Sequence, residues 1–117
     1  MEEEALKERC KTMALRVMNV VSHLPSTIPG RVIADQLMRS ASSVAANYRA
    51  ACRARSKAEF VAKLSIVVEE ADETVLWLEL IVDGGLLPAE RIKDLLAEAN
   101  EITAIMVASR KTASGNR

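Results

Sequence analysis

The chain is 117 residues long and half apolar, enough for one domain with a buried core. Ala, Leu, Val, Glu, Lys and Arg dominate while only Tyr48, Phe60 and Trp77 are aromatic, a composition that points to an all-helical protein. No uncharged apolar run reaches the about 18 residues of a membrane span, and the acidic start at Glu2, Glu3 and Glu4 is not a secretory signal, so a soluble, cytoplasmic protein with no membrane contact is expected.

The first predicted helix covers about Glu4 to His23. Leu6, Cys10, Met13, Val17, Val20 and Leu24 recur at alternating spacings of four and three, and Ala14, Met18 and Val21 widen the stripe. Pro25 stops it, and residues 25–30 read as a turn. A second helix starts near Pro29, whose missing N–H costs nothing in a first turn, and runs to about Arg53. Its core side is made of small residues: Ala34, Leu37, Ala41, Val44, Tyr48 and Ala51 form the stripe, with Ser40, Ser42, Ser43, Ala45 and Ala46 between. Neighbouring helices can therefore approach closely.

Ser56 stands three residues before Glu59, the spacing of a capping box, and opens a third helix that continues to about Asp83. Gly84 or Gly85 can take the left-handed conformation that ends it. This helix has more apolar surface than one core needs. Phe60, Leu64, Val67, Ala71, Leu78 and Ile81 make one stripe and Val61, Val68, Val75 and Val82 a second. Ile66, Trp77 and Leu80 point elsewhere, among Glu70 and Glu73. Such width predicts an oligomer interface over Ile66, Glu70, Glu73, Trp77 and Leu80. Pro88 opens a fourth helix to about Lys111, with its stripe at Ile92, Leu95, Ala99, Ile102 and Met106. Short connections make the four helices antiparallel neighbours, so the expected fold is an all-α, antiparallel up-down four-helix bundle over residues 1–112 with a flexible polar tail at 113–117.

The zero net charge hides a division. Residues 31–63 carry seven basic groups against Asp35 and Glu59, whereas residues 64–101 carry ten acids against Arg91 and Lys93. Such asymmetry points to charge-guided contact with a partner or with further copies of the chain. The basic cluster Arg49, Arg53, Arg55, Lys57 and Lys63 is the candidate nucleic-acid site, since positive side chains hold phosphates in a salt-dependent way. Tyr48 and Phe60 only flank it, which weakens base stacking. The competing reading is that these charges serve assembly or a protein partner.

No catalytic constellation is present, so the chain is read as not an enzyme, with no cofactor and no metal. His23, the single histidine, is better read as a helix-end residue favoured by the dipole, at the far end of its helix from both cysteines. Glu69 and Glu73 lie one turn apart but lack the histidine of a di-iron bundle site. Cys10 and Cys52 fall toward one end of an up-down bundle and are expected as small buried thiols, although a disulfide is geometrically conceivable. Arg39, Ser43 and Asn47 share a face of the second helix and are read as a buried hydrogen-bond network that fixes helix register.

The run QLMRSASSVAAN, then RSKAEF and LSIVVEEADETVLWLELI, resembles the bacterial four-helix-bundle family named for proteins encoded in intervening sequences of 23S ribosomal RNA genes. Leu37, Arg39, Ser40, Ser43, Asn47, Ser56, Phe60, Glu73 and Leu78 match its pattern, while Ala50-Ala51 stands where many members carry Glu-Gly. The chain is also similar to the accessory variability proteins of diversity-generating retroelements. These resemblances imply an antiparallel bundle, often a homopentamer, with nucleic acid (RNA or DNA) or a reverse transcriptase as partner.

Overall fold

The structure, a computed structural model, describes residues 2–115. It contains four helices, α1 (Glu3–Val21), α2 (Ile28–Cys52), α3 (Lys57–Asp83) and α4 (Ala89–Ala113), each within two residues of its expected bounds. Each helix packs against two neighbours in the order α1, α2, α3, α4 and back to α1, the arrangement of an up-down bundle, 44 × 21 × 20 Å overall.

The helix ends follow from local chemistry. Thr27 caps α2, its Oγ1 accepting from the Gly30 N–H at 3.2 Å, with Pro29 in the first turn. Gly30 is buried, and a Cβ there would collide with the Pro25 carbonyl, so the turn folds back onto the start of α2 only because this residue has no side chain. Ser56 caps α3 by accepting from the Glu59 N–H at 3.0 Å. The Glu59 carboxylate accepts from the Arg55 N–H at 2.8 Å, one residue further upstream than in a standard box. At the other end of α3, Gly85 takes φ 71°, with Leu86 N–H donating to Ile81 O at 2.9 Å and Gly85 N–H to Val82 O at 3.1 Å. That is a Schellman ending. Helix α4 includes Ala113 and closes at Gly115, with φ 81°; Asn116 and Arg117 of the expected tail lie outside the described residues.

The core is built from the stripes the spacing predicts: Leu6, Cys10, Met13 and Val17 meet Leu37, Ala41 and Val44, then Leu64, Val67, Leu78 and Ile81, then Ile92, Ile102 and Met106. Burying each large aliphatic side chain contributes about 1.5–3 kcal/mol. Two expectations shift. Met18, expected to widen the α1 stripe, is half exposed. The second apolar stripe of α3 is largely absorbed inside the bundle, with Val75 buried and Val68 and Val82 packed against the core. What remains outside is Ile66 (39% exposed), Leu76 (46%) and Leu80 (39%). No helix among the described residues is long and apolar enough to cross a membrane.

Candidate nucleic-acid interface

The turn between α2 and α3 is held at both ends. The last carbonyls of α2 accept from Arg53 N–H (Ala50 O, 3.1 Å) and Ala54 N–H (Ala51 O, 3.0 Å), and the Ser56 cap fixes the start of α3. With its backbone so occupied, the turn presents Arg53, Arg55 and Lys57 to solvent, beside exposed Arg49 and half-buried Lys63. The antiparallel order brings more cations to this end: Lys7 of α1 faces Arg49 and Arg53, and Arg110 and Lys111 of α4 lie beside Val61 of α3. Lys11 lines a cleft with Lys7 and Arg49, so Lys7, Lys11, Arg110 and Lys111 extend this surface beyond the residues the sequence points to. The available signal was the four-residue spacing of Lys7 and Lys11 around core residue Cys10.

Among the described residues Arg9 and Arg39 are the cations that pair with acids between helices. Arg9 of α1 clamps α4, its Nε donating to Glu98 Oε2 at 2.9 Å and its Nη2 to Glu98 Oε1 at 2.6 Å and Glu101 Oε1 at 2.7 Å. The Arg9 guanidinium holds the Glu98 carboxyl below its ordinary value, and the same pairing pushes Arg9 up. By contrast, among the described residues no acidic side chain comes within ion-pair distance of Arg49, Arg53, Arg55, Lys57 or Lys63. Arg49, Arg110 and Lys111 sit in last helical turns, where the helix dipole favours them. Lys57 gains nothing that way, because it stands at the N-terminus of α3. The nearby carboxylate of Glu59, in the first turn of α3, is engaged with the Arg55 N–H.

Of the flanking aromatic rings, Tyr48 is closed to stacking and Phe60 is only partly exposed. Tyr48 is buried in the core, and Phe60 packs partly against it, lining the α3–α4 groove. Burial raises the Tyr48 hydroxyl, with Cys52 as a further cause, and pushes the Cys10 thiol up to about 12. Both cysteines are free.

Arg39 does not join Ser43 and Asn47. Asn47 Nδ2 donates to Ser43 Oγ at 2.9 Å and to Ser43 O at 3.0 Å, a pair within α2. Arg39 instead reaches α3, where its Nη1 donates to Glu70 Oε1 at 3.0 Å and its Nη2 bonds Glu73, while Nε takes Gln36 Oε1 at 3.0 Å. The Trp77 indole N–H donates to the same Glu73 carboxylate at 3.1 Å. Arg39, Gln36, Glu70, Glu73 and Trp77 thus form one half-exposed network across the α2–α3 seam. The physical reason is reach: a guanidinium at the seam is extended enough to meet charged partners on α3. Ile66 and Leu80 flank that network with exposed apolar surface. His23 Nδ1–H donates to Asn19 O at 2.9 Å just past α1. No group of three or more His, Cys, Asp and Glu side chains converges among the described residues.

Among curated proteins there is no significant match. A solved structure from Bacteroides thetaiotaomicron VPI-5482, described as a protein of unknown function from the S23 ribosomal protein family, superposes with a TM-score of 0.83 at 31% identity, covering 91% of this chain and 98% of that one. The family model for the 23S rRNA-intervening sequence protein matches residues 2–108. With nearly its whole length matched and the same bundle in a solved relative, this chain belongs to the 23S rRNA-intervening sequence protein family.

Proposed function

We propose that this chain is a non-enzymatic bundle protein that binds nucleic acid through the end formed by Arg49, Arg53, Arg55, Lys57 and Lys63. The observation that supports the reading is the absence, among the described residues, of acidic partners for these five groups while Arg9 and Arg39 are engaged between helices. Exposed, unpaired cations attract a phosphate backbone and release its counterions, which gives affinity without base readout. RNA, alone or in an RNA–protein complex, is the nucleic acid to test first, since the family name refers to 23S ribosomal RNA. A gel-shift titration at increasing salt tests this: RNA should bind at low salt and release steeply, and R53E/R55E/K57E should abolish binding. Lack of binding at low salt, or full binding by the triple variant, overturns it.

A second reading, a scaffold whose charges serve only assembly or a protein partner, is favoured by a different surface. Ile66, Leu76 and Leu80 stay exposed on α3, and Val32 and Ile28 stand seven and eleven positions before Arg39, on its face of α2. Several copies closing over this margin, with a pentamer as the form to look for, would repeat the basic end in each subunit and raise avidity. Glu70 and Glu73 already pair with Arg39 within the chain, so apolar contact carries the association. Leu76→Lys with Leu80→Lys should lower the mass in analytical ultracentrifugation while the circular-dichroism spectrum stays helical. A wild-type monomer at micromolar concentration overturns the assembly.

A further inference from the structure

The basic turn continues into a trough along the side of the bundle. A cleft of about 270 Å³ between α1 and α2 is lined by Lys7, Lys11, Ser42, Ala45, Ala46 and Arg49. A second, of about 320 Å³, is lined by Glu4, Lys7, Glu8, Arg49 and Arg53. Lys7 and Arg49 line both, so the two are one path from the α2–α3 turn toward the middle of the bundle.

We propose that this trough carries a single-stranded phosphodiester backbone, held by Lys7, Lys11 and Arg49. The inference rests on the nucleic-acid reading above and adds the path and the strandedness of the ligand.

Three features support it. The part of the trough beyond Lys7 is lined by three cations and no acid, whereas near the turn Glu4 and Glu8 oppose Lys7, Arg49 and Arg53. Among the described residues the only ion pair on these cations is Lys7 with Glu4 at 2.8 Å, an exposed pair within one helix that competes weakly with a phosphate. The floor is small: Ala45 and Ala46 offer no bulk, and Ser42 Oγ turns back to donate to Met38 O at 2.7 Å. A backbone can therefore lie close to the charges.

The dimensions choose the strand. Clefts of about 270 and 320 Å³ are too small to take in a duplex, which would rest only on the rim, whereas one sugar–phosphate chain can follow the furrow. With Tyr48 in the core, no aromatic ring lines the trough. Binding is consequently tolerant of sequence and strongly dependent on salt.

The test uses the full chain and fluorescence anisotropy with labelled oligo-uridine, alone and paired with oligo-adenosine. The variant K11E/S42E alters the trough without touching the five residues at the turn, and both positions are exposed, so a thermal melt should match wild type. Single-strand affinity should fall by roughly tenfold or more, with the slope of log K against log salt shallower by about 0.7 for each phosphate that is no longer neutralised. E4Q/E8Q should tighten single-strand binding. Wild-type affinity in K11E/S42E alongside loss in R55E/K57E removes the trough and leaves the basic turn as the binding site. Equal affinity for duplex and single strand, lost equally in K11E/S42E, also removes it. Absence of wild-type binding to either probe removes both readings.

Discussion

The hydroxyls of Ser40 on α2 and Thr74 on α3 lie 2.9 Å apart at the centre of the bundle, and neither residue has any exposed surface. Each also meets a carbonyl of its own helix, Thr74 with Glu70 O at 2.9 Å and Ser40 with Leu37 O at 3.3 Å. Among the described residues no buried side-chain polar atom lacks a partner. Thr74→Val keeps the shape but leaves Ser40 without its cross-helix partner, at a cost of about 1–2 kcal/mol in urea unfolding. Adding Ser40→Ala should recover part of that loss, because a dry apolar contact has no unmet bond. A double variant whose loss is the sum of the singles would mean the two hydroxyls are not coupled.

The Arg9–Glu98 clamp makes stability depend on pH. The folded Glu98 carboxyl titrates below its ordinary value of 4.5, chiefly through its hydrogen bond with Arg9. The folded state therefore binds this proton less readily than the unfolded chain. The clamp's contribution is present above about pH 4.5 and fades as pH falls through the lower folded value. Glu98→Gln should cost about 1.5–3 kcal/mol at pH 7, the worth of hydrogen bonds to a charged group. It should also flatten the urea midpoint below pH 4.5 relative to wild type. An unchanged acid limb in the variant would show that other carboxylates set it.

Gly30→Ala should be destabilising, although the same change inside an ordinary helix adds about 0.5–1 kcal/mol of stability. Here the added methyl meets the Pro25 carbonyl, a backbone atom that no rotamer change can move aside. A loss of about 1–3 kcal/mol, the range for overpacked sites, is expected in thermal or urea unfolding. Thr27→Ala removes only the cap on Gly30 N–H and should cost about 1 kcal/mol. If Gly30→Ala proves neutral, the Pro25–Gly30 approach is looser in solution than in the fold described.

The helix bounds, the Ser56 cap, the glycine ending of α3 and most of the buried stripes are legible from spacing alone, whereas the Thr27 cap and the exposure of Met18 are not. Ser56 and Glu59, or Leu37, Ala41, Val44 and Tyr48, interact with or line up beside residues at most a turn or two away, so local geometry fixes them. The small side chains around Ser40 announced a close approach between helices, but nothing in the order of residues named Thr74 as its partner.

Charge pairing was decided elsewhere. Arg9 and Glu98 are 89 positions apart, and whether an arginine is engaged or free depends on the register of one helix against another. Arg39 looks like a neighbour of Ser43 in the sequence and is claimed in three dimensions by Glu70 and Glu73. Lys11 and Arg49 come together only because α1 and α2 run antiparallel with this particular offset. Periodicity specifies which face of each helix turns inward; the stacking of four such faces determines which surface charges meet, because side-chain electrostatics acts over a few ångströms of space rather than along the chain.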